Sequence, residues 1–208
     1  IEYNHIHCIG RGMLSDMGGI YTLGVQPGTR ITHNLIHDVQ SRGYGGWGIY
    51  NDEGSSYLLV EDNVVYRTKS NGYNQHYGEE NIVRNNIFAF GGEAQISRGR
   101  PEDHTSFRFT NNVIYFDSEG TVLAGNWEKT GAIVDSNLYY NVSGKPLDFA
   151  GCDLEEWRSR EWLGRRMDVT SIVADPRFRD PEQGDFSFIE DSAARAVGFR
   201  PIDLSTVG

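Results

Sequence analysis

Short alternations of apolar and polar residues, rather than long amphipathic stripes, dominate this chain. A six-residue pattern, apolar-x-x-Asn-x-apolar, recurs as Ile1…Asn4…Ile6, Ile31…Asn34…Ile36 and Val60…Asn63…Val65. It returns as Val83…Asn86…Phe88, Phe109…Asn112…Ile114 and Val134…Asn137…Tyr139. The asparagines are spaced 30, 29, 23, 26 and 25 residues apart. Self-similarity at such a period marks a solenoid. The apolar stretches are short and rich in Val, Ile, Phe and Tyr, which predicts strands. No copy offers a helix-length apolar stripe or a dense leucine pattern, which argues against helical and leucine-rich repeats. A coil of about 25 residues with three short strands predicts an all-β fold, a single-stranded right-handed parallel β-helix.

Stacking explains the asparagines. Coils of a parallel β-helix lie about 4.8 Å apart, so like residues meet along the axis. Asn tolerates left-handed geometry at a turn, and a column of Asn amides can bond from coil to coil. These residues are therefore read as structural. The repeat stops near residue 145. Asp153-Leu154-Glu155-Glu156 resembles a capping box, which predicts a short helix through Trp157, Trp162 and Leu163 ending at Gly164. Turn signals follow at Asp175-Pro176, Asp180-Pro181 and Gly184-Asp185. An open coil end is an exposed sheet edge that proteins cover. The chain thus divides into coils over 1–145 and a C-terminal capping segment over 146–208. It opens on a strand-like segment with no cap, so further coils are expected upstream.

Composition narrows the partners. The 208 residues are 38% hydrophobic and 12% aromatic, with 25 Gly and only 6 Pro, a mix suited to many tight turns. Nineteen basic and 29 acidic residues give a net charge of −10, which opposes binding to phosphate backbones. Cys8 and Cys152 form no CxxC pair and are read as two buried small hydrophobes, with a Cys8–Cys152 disulfide as the alternative. There is no apolar run of membrane-spanning length. The expected partner is a carbohydrate, with no nucleic acid, membrane, metal or cofactor. A secreted or periplasmic setting is expected for the full-length protein.

Candidate chemistry follows from the stacking. Counting twelve residues on from each asparagine aligns Asp16, Gly46, Gln75, Arg98 and Ala124; eighteen aligns Thr22, Asp52, Asn81, His104 and Thr130. Independently of counting, Gly18-Gly19-Ile20-Tyr21 parallels Trp47-Gly48-Ile49-Tyr50. With Ile20 and Ile49 facing the core, Tyr21 and Tyr50 face outward on adjacent coils. Tyr21, Tyr44, Trp47, Tyr50, Tyr73 and Tyr77 then form an aromatic wall on which sugar rings can pack. Acids flank it: Asp16 before the first of these strands, Asp52 and Glu53 after the second. Glycosidic cleavage needs two carboxyl groups, one to protonate the leaving oxygen and one ionised. Asp16 and Asp52 are the catalytic candidates, with Glu53 and Glu80 as substitutes. In a straight strand the seven residues that separate them in this alignment span about 23 Å, so the pair requires a bent wall. His76, Gln95 and Arg98 extend the expected binding surface, Arg98 as a partner for a carboxylate or an acidic sugar.

These segments carry a resemblance. Ser15-Asp16-Met17-Gly18-Gly19-Ile20-Tyr21-Thr22-Leu23-Gly24 and Gly46-Trp47-Gly48-Ile49-Tyr50-Asn51-Asp52-Glu53-Gly54-Ser55-Ser56 resemble segments of bacterial right-handed β-helix repeat proteins. Gln75-His76-Tyr77-Gly78-Glu79-Glu80-Asn81, Arg84 to Phe90 and Ser171 to Phe178 are similar too. Within that group the chain looks like glycoside hydrolase family 141, which includes fucosidase and xylanase activities. The resemblance implies a pair of catalytic aspartates, placed here on Asp16 and Asp52. The expected function is hydrolysis of a polysaccharide or oligosaccharide in a groove on the β-helix wall. A polysaccharide lyase and a non-catalytic glycan-binding β-helix are the alternatives.

Overall fold

The computed structural model describes residues 1–127, 131–162 and 164–208. It is a parallel β-solenoid of five three-strand turns plus a partial sixth. The first sheet contains seven strands: His5–Ile9, Leu35–Val39, Val64–Thr68, Ile87–Gly91, Val113–Phe116, Leu138–Asn141 and Ile172–Val173. The second is built from Gly18–Thr22, Trp47–Asn51, Tyr73–Gln75, Ile96–Arg98, Thr121–Gly125 and Asp148–Phe149. The third comprises Arg30–Thr32, Leu59–Glu61, Asn81–Arg84, Phe107–Thr110 and Ala132–Asp135. Strand pairing within all three sheets is parallel. Among the described residues no helix is long and apolar enough to cross a membrane.

The six-residue motif is the corner between the third and first sheets. Its apolar positions, from Ile31 and Ile36 to Val134 and Tyr139, are fully buried. The left-handed backbone falls one residue earlier than expected, on the residue before each asparagine: Tyr3, His33, Asp62, Asn85, Asn111 and Ser136, with φ of 58°, 54°, 57°, 53°, 56° and 56°. That turn aims each Asn side chain along the axis. Asn4 Nδ2 donates to Asn34 Oδ1 at 2.9 Å, Asn34 to Asn63 at 2.9 Å and Asn63 to Asn86 at 2.9 Å. Asn86 donates to Asn112 at 3.0 Å and Asn112 to Asn137 at 3.1 Å. Each backbone N–H from Asn4 to Asn112 donates to the same acceptor as its own side chain. The column ends where the Asn137 N–H meets Ser171 Oγ at 2.9 Å.

Pairing also corrects the counted registers. Thr22, Asn51, Gln75, Arg98 and Gly125 share one column of the second sheet. The twelve-residue count therefore holds at Gln75 and Arg98, misses by one at Ala124, and fails at Asp16 and Gly46. The first two turns carry extra residues, over 10–17 and 40–46, before they enter this sheet. Asn81 lies on the third sheet, not beside Asp52; Thr130 lies outside the described residues.

The C-terminal segment has two parts. Asp153 caps the helix Leu154–Ser159 by accepting the Glu156 N–H at 2.8 Å. The helix is shorter than expected, because Glu161–Trp162 pairs antiparallel with Arg165–Arg166; Leu163 lies outside the described residues. Phe149, Cys152, Trp157 and Met167 close the end of the core. Cys152 is buried in this cap as expected, but Cys8 is exposed in the first turn, and the two are free rather than bridged. Beyond Ile172–Val173 the chain returns along the outer face of the first sheet. There Phe178, Phe186, Val197 and Phe199 pack on Val64, Tyr66, Ile87, Val113 and Tyr115. Asn85 exchanges hydrogen bonds with the Arg200 backbone, and Asn111 donates to the Val197 carbonyl at 2.6 Å.

Two stability predictions follow from buried polar groups. Asn112→Ala removes the acceptor of two Asn86 donors and the donor to the Val83 carbonyl. It should cost about 3 kcal/mol or more in urea denaturation, since each orphaned buried group costs about 1–3 kcal/mol. The same change at the more exposed Asn4 should cost less. Burial pushes the Asp168 carboxyl up to about 6, even though Ser171, Trp157 and Tyr139 donate to it. The folded state then holds a proton that the unfolded chain, near its ordinary 3.8, has released. Stability contributed by this group is therefore present at low pH and lost as pH rises from about 4 to about 6. Thermal melts across that window should show a slope that Asp168→Asn flattens.

Candidate functional site

The wall of the second sheet carries the predicted aromatic cluster. Tyr21 and Tyr50 are register partners on neighbouring turns. Their rings meet edge-on at 5.1 Å, Trp47 lies 4.3 Å from Tyr50, and Tyr44 lies 4.8 Å from Trp47. Tyr21 and Tyr44 are exposed, whereas Trp47 and Tyr50 are buried at 5% and 2%. The accessible face is therefore Tyr21 and Tyr44, with Trp47 and Tyr50 as its floor. Tyr73 is not on the wall. It points into the core, where its hydroxyl accepts from Asn51 and donates to Gln75. Tyr77 lies beneath the Arg100 guanidinium, 3.7 Å from its ring centroid.

The extra residues of the first two turns stack on each other beside the wall. Asp16 N–H donates to the Tyr44 carbonyl at 2.7 Å, Arg42 N–H to Leu14 at 2.7 Å, and Gly46 N–H to Met17 at 2.9 Å. Asp16 itself has φ 51°. Gly45, at φ 101°, passes so close that a Cβ there would meet the Asp16 nitrogen at 2.9 Å. The two loops thus stack as a pair and fold Asp16 back over the strands. Its Oδ1 receives the Tyr50 hydroxyl at 3.4 Å.

Asp52 follows the strand Trp47–Asn51 and is 7% exposed. Its Oδ2 accepts the Tyr21 hydroxyl at 2.5 Å, and its Oδ1 lies 2.8 Å from His76 Nδ1. Burial works to raise its pKa, but hydrogen bonds from Tyr21, His76, Tyr50 and the Glu53 N–H outweigh it, so the carboxyl sits below its ordinary value. The same contact pushes the Tyr21 hydroxyl up to about 12, and burial raises Tyr50 further. Both tyrosines therefore remain donors. Asp16 and Asp52 thus each accept from one of two neighbouring tyrosines, Tyr50 and Tyr21.

The remaining predicted residues divide. His76 joins the site, half-buried beside Gly99, where a Cβ would meet its ring at 2.7 Å. Glu53 is exposed at the turn beside Asp52. Glu80 stands at the entry to the third sheet and pairs with Arg108 at 3.1 Å. Gln95 is fully buried, its amide bonded at both ends to Gly91. Arg98 alternates with the outward Ser97 and is 1% exposed, inside the coil. Gln95 and Arg98 are thus corrected from wall residues to interior ones. Strand alternation instead places Asn74 and Ser97, joined at 2.7 Å, on the wall in line with Tyr50. Pairing along the register could have identified Ser97, but the counted columns pointed to its inward neighbour. Among the described residues no three His, Cys, Asp or Glu side chains are grouped as a metal site.

The fold and this wall define a parallel β-solenoid with an aromatic surface and two carboxylates bordering it. Comparison with known proteins adds no relative: the chain matches no protein-family model, no curated protein and no solved structure.

Tyr21→Phe should raise the Asp52 pKa, since it deletes the closest donor to the anion and leaves the opposing desolvation in place. A carboxyl-carbon NMR titration of the variant would show the shift. A downward or absent change would refute this account of the carboxylate.

Proposed function

We propose that this chain belongs to a glycoside hydrolase that cleaves a polysaccharide or oligosaccharide lying along the second-sheet wall. The observation that carries the reading is that Asp16 and Asp52 border the same tyrosine pair, Asp16 accepting from Tyr50 and Asp52 from Tyr21. Two carboxyl groups bordering one aromatic surface are the minimum equipment for this reaction. In this reading Asp52, held as the anion, is nucleophile or base. Asp16 lies on the exposed loop and delivers the proton to the leaving oxygen. Tyr21 and His76 orient Asp52, and the exposed faces of Tyr21 and Tyr44 support sugar rings. The parallel β-solenoid is compatible with glycan enzymes and glycan binding alike, and the resemblance to glycoside hydrolase family 141 favours the enzyme.

The lyase alternative has less support. It needs a cation to neutralise a uronate, and of the two arginines expected near the wall Arg98 is turned into the coil, leaving Arg100. Net charge −10 also disfavours a polyanionic substrate.

Asp16→Asn and Asp52→Asn should each lower hydrolysis on a glycan panel by 10³-fold or more, by order of magnitude for loss of one essential carboxyl, with unchanged circular dichroism. Full activity in both variants would eliminate the assignment. Saturable glycan binding without turnover would select the binding reading, and an ultraviolet-absorbing unsaturated product the lyase.

A further inference from the structure

A second cluster of chemically capable side chains lies on the outer face of the first sheet, away from the aspartates. His5 and His7 flank Ile6 on one strand, so both imidazoles project from the same face. His7 pairs in register with His37 of the next turn. His5 Nε2 stands 2.8 Å from His37 Nε2. The His7 ring packs against both, at 4.4 Å from His5 and 5.2 Å from His37, and His37 stacks in turn on Tyr66 at 4.7 Å.

What surrounds His37 distinguishes the pair from a plain stack. Successive strand residues normally face opposite ways, but Asp38 has φ 53°, which brings its carboxylate beside the preceding ring. Asp38 Oδ2 lies 2.6 Å from His37 Nδ1. Arg67 grips that carboxylate with two bonds, from Nε at 2.8 Å and Nη2 at 2.9 Å. A carboxylate so held accepts, fixing hydrogen on Nδ1 and leaving the Nε2 lone pair directed at His5. This is the carboxylate–histidine arrangement that orients metal ligands. Two imidazole nitrogens on one divalent ion, each about 2.0–2.1 Å from it, stand about 3 Å apart.

We propose that His5 and His37 bind a borderline transition-metal ion, of the Zn²⁺, Ni²⁺ and Cu²⁺ class, through their Nε2 atoms. The ion ties the first turn to the second, and water fills its other positions. Two nitrogen ligands and no carboxylate in direct contact select this class over Mg²⁺ and Ca²⁺. The site is independent of the glycan reading.

The test is calorimetric titration of the chelator-treated chain with ZnCl₂, NiCl₂ and CuCl₂, using MgCl₂ as a control. The expected result is one ion per chain, tightest for copper, with no magnesium binding. His5→Ala and His37→Ala should each weaken binding at least tenfold, and Asp38→Asn by roughly 10–100-fold. Metal should raise the melting temperature of the parent but not of the double histidine variant. Circular dichroism of the metal-free proteins checks that the variants fold. The proposal is overturned if the parent binds none of the three ions, the cluster then being a stacked ladder only. It is overturned equally if either single histidine variant keeps parental affinity.

Discussion

One hydrogen-bonded column governs this molecule. From Asn34 to Asn137 each amide oxygen is met by donors of the turn before it, and from Asn4 to Asn112 each amide nitrogen reaches forward to the next. A slip of one residue in any turn would break two of these bonds and bury the orphans, so the column sets the register of the turns it joins. The left-handed residue before each asparagine turns the chain there, and the flanking apolar residues fill the coil. Turn, ladder and core are consequences of the same six positions.

With that corner fixed, the other corners are free to vary. Turns that keep the asparagine contacts still differ in length, and the difference accumulates in 10–17 and 40–46. These loops carry Asp16 and the glycines that let it fold back on Tyr50. The rigid ladder and the irregular wall thus divide the labour expected of a scaffold and a site. Asp52 needs no such loop. It leaves the sheet one residue past the register and meets the hydroxyl and imidazole stacked on either side of it.

The fold was legible because its determinant is local and repeated: six asparagines with apolar flanks. The pairing of Tyr21 with Tyr50 was legible for a similar reason, since two Gly-Ile-Tyr segments announce their own alignment. Gln95 and Arg98 were misplaced because counting from a distant asparagine cannot tell an outward residue from its inward neighbour. A one-residue difference reverses the face. The placement of Asp16 beside Tyr50 was invisible for another reason. It depends on backbone at φ 51° and 101° in two loops that hydrogen-bond to each other, and nothing in either loop alone encodes that contact. The division of the C-terminal segment into an end plug and a lateral strip was likewise beyond pattern reading, because nothing in its apolar residues tells the coil end from the outer face of the first sheet as their partner.

That lateral strip changes how the stack holds together. A row of repeats in contact only with nearest neighbours can fray one unit at a time from either end. Here Phe186 touches Tyr66 of the third turn, while Asn85 and Asn111 hold backbone further along the strip. A segment anchored beyond the sixth turn thereby leans on rungs laid down much earlier in synthesis. The consequence is vectorial: Val64, Tyr66, Ile87 and Val113 gain their outer cover only after residues 178–199 have emerged, so later-made chain locks rungs made before it.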